Sequence, residues 1–196
     1  MSRDVAVPIG AIARRPAIVV VTGSESTGKT TLAGDLAREF GTIWVPEYAR
    51  SYLDTQLAMG RTLDATDVEP IARGEIAAID AAIASVRDLV VLDTDLVSTV
   101  VYANHYYGFC PPWIEQAARA RLGDLYLLCD IDVPWVPAPF RDRPLHRAEI
   151  HGMFADTLAA VGARVVPIRG MWAERWEIAV DAVRRLRLSR SPSAAR

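Results

Sequence analysis

A three-layer α/β domain, with a five-stranded parallel sheet flanked by helices, is the fold this sequence predicts, and three observations predict it. Short apolar runs rich in branched residues alternate with longer stretches of helical periodicity. The runs lack the in-and-out alternation of a half-exposed strand, so helices must cover both faces of the sheet, the condition under which parallel sheets occur. The chain has 196 residues, 51% of them apolar, enough to bury one such core without a covalent staple.

The elements follow in order. Residues 1–15 hold a short apolar stretch broken by Pro8 and Gly10. Before that stretch only Arg3 is positive, beside Asp4, while Arg14 and Arg15 come after it, the reverse of a secretory signal, so a loose N-terminal arm on a cytoplasmic protein is expected. Strands are expected over 17–22, 42–45, 89–93, 125–130 and 164–168, and helices over 29–40, 67–87, 96–107, 111–121, 147–161 and 172–188. The helix over 67–87 has a start signal, because Thr66 stands three residues before Glu69 at the spacing of a capping box. Between the fourth strand and the next helix, Pro134, Pro137, Pro139 and Pro144 make 133–147 an exposed loop. Residues 189–196, all Ser, Pro, Ala and Arg, cannot bury enough apolar surface to order themselves, which leaves 16–188 as the folded domain.

Composition excludes several classes. Twenty-two basic residues against 24 acidic ones leave a net charge of −2, with no basic footprint for a nucleic acid. No apolar run approaches the roughly 20 residues of a membrane-spanning helix, so no membrane partner is expected. Cys110 and Cys129 have no Cys-x-x-Cys spacing and read as packed thiols. His146 and His151 are five apart and read as surface residues rather than metal ligands. A homo-oligomer is compatible with the sequence, which sets no oligomeric state.

The chemistry begins after the first strand. Gly23-Ser24-Glu25-Ser26-Thr27-Gly28-Lys29-Thr30 matches G-x-x-x-x-G-K-[ST] in full, at a strand end and a helix start. Glycines there let successive N–H groups, through Thr31, face phosphate oxygens, and the helix terminus adds its positive end. Lys29 is the single lysine beside 21 arginines, and it occupies the slot that suits a compact point charge. It would reach the β- and γ-phosphates of ATP, while the Thr30 hydroxyl would hold Mg²⁺. The third strand ends in Asp93, the expected second Mg²⁺ contact. Asp95 has two readings, N-cap of the next helix or acceptor contact.

Guanine-type recognition is excluded by count: the only asparagine, Asn104, precedes His105, so no Asn-Lys-x-Asp exists. What remains is transfer of a γ-phosphoryl group to a small acceptor. After the second strand, Glu47 and Arg50 would stand at the carboxyl edge of the sheet, beside the phosphate loop. Glu47 could take the proton of an attacking hydroxyl and Arg50 steady the acceptor, or the two could form a surface pair at a helix start. Arg141, Arg143 and Arg147 cluster in the proline-rich loop, as in a lid that brings cations to the phosphates, or as in a solvated basic loop. Trp44, Tyr48 and Tyr102 are candidates for stacking on a planar or cationic acceptor base.

These residues together resemble a family. The phosphate loop, Glu47-Tyr48-x-Arg50, Asp93-Thr94-Asp95 and Trp135-Val136 followed by Arg141, in this order over residues 17–187, are similar to the nicotinamide riboside kinase domain of NadR-type proteins. The resemblance implies a P-loop, nucleoside-kinase-like fold and ATP- and Mg²⁺-dependent phosphorylation of the 5′-hydroxyl of nicotinamide riboside, a step of NAD biosynthesis. Two departures stand out: Pro46 where the family often has an aromatic residue, and Ala138-Pro139 in place of the usual Asp-Gly. The alternatives are a kinase for another nucleoside or small alcohol, and a regulatory module that binds ATP to switch a partner.

Overall fold

The computed structural model describes residues 14–136 and 144–191. Five parallel strands, β1 (Ala17–Thr22), β2 (Trp44–Val45), β3 (Leu89–Asp93), β4 (Leu125–Cys129) and β5 (Val165–Ile168), form one sheet in the order β2-β3-β1-β4-β5. β1 is central and lies against β3 with Val21 opposite Asp93, so both strands end at the same edge. Pro167 has no N–H for a ladder and sits on the edge strand β5, where none is required on the outer side.

Seven helices cover the sheet among the described residues: α1 (Lys29–Glu39), α2 (Tyr48–Ala58), α3 (Val68–Ser85), α4 (Leu96–Tyr107), α5 (Pro112–Ala120), α6 (Arg147–Ala160) and α7 (Trp172–Arg190). Strand alternation divides the core. Val19, Val21, Val91 and Leu127 face Leu32 and Leu36 of α1 and Val183 and Leu186 of α7. Ile18, Val20, Val90, Leu92 and Tyr126 face Ile79, Val97, Val101, Ile150 and Phe154 on the other side. This is the expected three-layer arrangement.

Four local expectations are corrected. The segment 48–58 carries no predicted helix, yet it is α2; of its residues only Gln56 is buried, so it lacks the apolar stripe that periodicity detects. The capping box lies earlier than Thr66 and Glu69. Asp64 accepts from the Thr66 N–H at 2.8 Å and Asp67 accepts from the Asp64 N–H at 2.9 Å, capping a short 3₁₀ turn that feeds α3. The second strand is shorter than 42–45, although Thr42 still donates through its hydroxyl to the Leu89 carbonyl. Helix α7 runs on to Arg190, beyond 188, and Arg14 and Arg15 at the far end are tied down: Arg15 pairs with Asp124 at 2.8 Å and Arg14 donates to the Arg190 carbonyl.

Candidate active site

The phosphate loop is a tight turn between β1 and α1, and its glycines are where the backbone requires them. Gly23 has φ 126°, and a Cβ there would meet the Cys129 carbonyl at 2.7 Å; Gly28, the N-cap of α1, has φ 83°. Ser24 and Thr27 are buried, and the Thr27 hydroxyl donates to the Ser24 carbonyl at 2.9 Å. Lys29 Nζ donates to the same carbonyl at 2.9 Å, which folds the ammonium back over the loop.

Thr30 and Asp93 meet as the register of β1 and β3 requires. Thr30 Oγ1 donates to Asp93 Oδ2 at 2.6 Å, while Asp93 Oδ1 is buried with no protein partner. Burial pushes the Asp93 carboxyl up to about 6, with Glu47 adding to the rise while the Thr30 hydrogen bond, Lys29 and Arg50 oppose it. A hydroxyl beside a carboxylate with a free oxygen is an all-oxygen donor pair at the end of a phosphate loop, and it fits a hard cation such as Mg²⁺.

A cavity of about 650 Å³ extends from the loop, a volume in the range of small-molecule sites. Glu25, Ser26, Gly28, Lys29 and Thr30 form one end, and Glu47, Arg50, Thr94 and Tyr102 continue it. Glu47 stands at the N-cap of α2 with Arg50 Nη2 3.4 Å from its carboxylate, so the surface-pair geometry and the cavity-lining position coexist in the same two residues. Thr94 holds φ 73°, a left-handed conformation that a β-branched residue adopts only under tertiary constraint. The strain lies where the chain turns from β3 into α4 against the cavity.

Three acceptor-side candidates stand elsewhere. Trp44 lies on the α1 side of the sheet, near Gly34, and not on the cavity. The Tyr48 ring packs on Gly74 of α3, so closely that a Cβ at 74 would collide with it. Asp95 is 5% exposed and its carboxylate is already bonded, accepting from the Val97 N–H at 3.0 Å and the Tyr126 hydroxyl at 2.5 Å; of its two readings the N-cap is the one observed. Tyr102, Tyr106 and Tyr107 of α4 supply the aromatic wall instead.

On the lid side, Arg141 and Arg143 lie outside the described residues. Arg147, at the start of α6, donates to the Val133 carbonyl at 3.0 Å and reaches the Ser26 carbonyl at 3.5 Å, which brings its guanidinium to the loop. The Val136 N–H donates to Ser26 Oγ at 2.8 Å.

Two residues of this region were not singled out from sequence. Arg175 is 1% exposed in the first turn of α7 and donates to the carbonyls of Thr27 at 3.1 Å, Gly170 at 2.9 Å and Asp130 at 3.0 Å while pairing with Asp132. A cation in the first helical turn opposes the helix dipole, and that position was the available signal. Glu75, in the middle of α3, is 5% exposed and lines the cavity. Its helical context had nothing to separate it from a solvated glutamate.

A family model described as an AAA domain matches residues 18–175. The trifunctional NAD biosynthesis/regulator protein NadR of Escherichia coli (strain K12) is 30% identical over 143 residues, 71% of this chain and 35% of the relative. The chain thus spans about a third of the length of that curated relative. Among solved structures, a NadR protein in complex with NAD and AMP-PNP superposes with a TM-score of 0.72 at 28% identity, covering 92% of this chain and 52% of that one. A NadR protein in complex with NR gives 0.69 at the same identity and the same coverages. The phosphate loop, the Thr30–Asp93 pair and the five-stranded parallel sheet agree with these matches, and the chain belongs to the AAA domain family, as a domain of the NadR type with a nucleotide-kinase-like fold.

Proposed function

We propose that this chain transfers the γ-phosphoryl group of ATP to the 5′-hydroxyl of a nucleoside, with nicotinamide riboside as the preferred acceptor. The observation that carries the reading is the continuity of one cavity from the phosphate loop through Glu47 and Arg50 to the tyrosine wall of α4. A module that only bound ATP would need no second half to that cavity. The likeness to NadR proteins, one in complex with AMP-PNP and one with NR, supports the same choice of donor and acceptor.

The residues divide the work. Amides of the loop from Gly23 to Thr31 face the phosphates, and Lys29 exchanges its contact with the Ser24 carbonyl for phosphate oxygens. Thr30 and Asp93 would hold Mg²⁺, which would supply charge to neutralise the phosphates. Arg147 stands over the loop at Ser26, with Arg141 and Arg143 assigned to the same cationic group. Glu47 accepts the proton of the 5′-hydroxyl as its oxygen bonds to the γ-phosphorus and the bond from that phosphorus to the bridging oxygen of ADP breaks. Arg50 holds Glu47 in place and Tyr102 flanks the acceptor base.

An acceptor screen with ATP and Mg²⁺, scoring ADP release above the no-acceptor background, tests the reading. Nicotinamide riboside should give the highest kcat/KM. Glu47→Gln keeps shape but removes the basic oxygen, and kcat should fall by about 10²-fold or more while ATP binding barely changes. A folded wild-type protein that releases no ADP above background with any nucleoside would remove the kinase reading.

A further inference from the structure

Among the carboxyls of the cavity wall is Glu75, which neither the phosphate contacts nor the proton transfer to Glu47 employs. Glu75 projects from α3 into the cavity wall at 5% exposure, and Thr99 Oγ1 of α4 donates to its Oε2 at 2.8 Å, which fixes the head group. A buried carboxyl on a helix is costly unless something compensates it, and here the neighbours make the cost larger. Burial comes first; Asp95 at the head of α4 and Glu47 at the head of α2 then repel its charge, and together they push the carboxyl up to about 8 against the single opposing Thr99 hydrogen bond. The other ionisable groups on the cavity wall are Asp64 and Asp67 before α3, with Arg61 3.5 Å from Asp67, Glu25 and Lys29 of the phosphate loop, Arg50 of α2, and the phenols of Tyr102, Tyr106 and Tyr107. Among the described residues, carboxyls outnumber cations on the cavity wall, and none of those cations pairs with Glu75.

Acidic, aromatic-lined and closed by a carboxyl that a hydrogen bond holds in place but no cation among the described residues pairs with, the acceptor end is shaped for a flat cation. We infer that Glu75 is the specificity-determining residue of the acceptor site, pairing with a cationic heterocycle and disfavouring one whose charge is cancelled by a carboxylate of its own. The inference rests on the kinase reading, from which it takes the acceptor class. In the free cavity at neutral pH Glu75 carries its proton. Docking of a cation favours the carboxylate, and the proton leaves to solvent. An aromatic face from Tyr102 adds cation–π attraction for the same class of ring.

Titration calorimetry on the full chain tests this, with nicotinamide riboside, whose pyridinium is cationic, and nicotinic acid riboside, which is zwitterionic, each at pH 7 in buffers of different ionisation enthalpy. Wild type should bind the cation about 10-fold or more tightly than the zwitterion. The cation should also release a fraction of a proton, read as a buffer-dependent enthalpy. Glu75→Gln should bring the two affinities to within about 3-fold and abolish the buffer dependence, while Glu75→Asp restores part of each. In turnover, Glu75→Gln should raise KM for nicotinamide riboside with little change in kcat, because Glu75 does not touch the reacting hydroxyl. Equal binding of both ribosides by wild type, or an unchanged preference and proton release in folded Glu75→Gln, overturns the role of Glu75 even if transfer to nicotinamide riboside proceeds. Binding of the cation with the expected preference but without ADP formation overturns the kinase reading and leaves Glu75 standing. Binding of neither riboside overturns both.

Discussion

Lys29 and Arg175 show two ways in which one cation serves a phosphate loop. Lys29 is part-buried and bonds only the Ser24 carbonyl, so its loss leaves no core group stranded. Lys29→Ala should therefore fold with near-normal thermal stability and lose about 10²- to 10³-fold in kcat/KM, and Lys29→Arg should fail as well because a guanidinium fork does not fit a point-charge slot. Arg175 is the opposite case. Its guanidinium gathers the carbonyls of Thr27, Gly170 and Asp130, three separate loops, and is itself buried. Arg175→Met leaves those carbonyls without their donor, and unfolding experiments should show a loss of about 1–3 kcal/mol or more. Because Thr27 belongs to the phosphate loop, the KM for ATP should rise further than the acceptor KM; an unchanged ATP KM would confine Arg175 to holding the fold.

Among elements, α2 depends most on its neighbour. It has no buried apolar stripe, and what positions it is the Tyr48 ring on Gly74 of α3 and the Tyr52 hydroxyl, which donates to Asp67 Oδ1 at 2.7 Å. Glycine in mid-helix costs about 1 kcal/mol relative to alanine, so its presence in α3 is explained by the space it leaves. Gly74→Ala should destabilise the wild-type protein, since overpacking of about 1–3 kcal/mol outweighs the propensity gained. It should also raise the acceptor KM, because displacing Tyr48 displaces Glu47 and Arg50 beside it. In a Tyr48→Ala background the same substitution should turn stabilising, by about 0.5–1 kcal/mol. Absence of that sign reversal in chemical denaturation would show that the ring does not set the packing of α2.

For the whole molecule, the buried acids bind protons more tightly folded than unfolded. Burial raises Glu75 from 4.5 to about 8 and, with the Tyr126 hydrogen bond opposing, Asp95 from 3.8 to about 6. A raised folded-state value means that the contribution to stability is full below the unfolded value and is lost as pH rises through the folded one. The contribution of Asp95 thus falls away between about 4 and 6, and that of Glu75 between about 4.5 and 8. Thermal unfolding should accordingly show Tm declining from pH 5 to pH 8.5, and Glu75→Gln, which cannot ionise, should flatten the upper part of that decline and exceed wild type at pH 8.5. An identical slope in the variant would show that Glu75 is charged and compensated at neutral pH. No helix among the described residues is long and apolar enough to cross a membrane, in line with the short apolar runs.

By itself the sequence determined what is local in the backbone. Gly23 to Thr30 dictate their own loop, because the positive φ of the glycines and the helix start are properties of adjacent residues. Buried parallel strands announce themselves as unbroken apolar runs, so all five strands and six of the seven helices were legible, and with them the meeting of Thr30 and Asp93. Tertiary structure alone decided which face a side chain takes and what it meets there. Trp44 and Val45 are neighbours on one strand and point to opposite layers, and no local pattern says which layer holds the cavity. The same holds for Glu75 and Arg175, each a charged residue on a helix whose sequence context is that of a solvated face. Each is buried because a partner from another element reaches it, Thr99 from α4 for the first and the carbonyls of three loops for the second, and pairings across 24 or 148 positions of sequence leave no trace in the residues alongside.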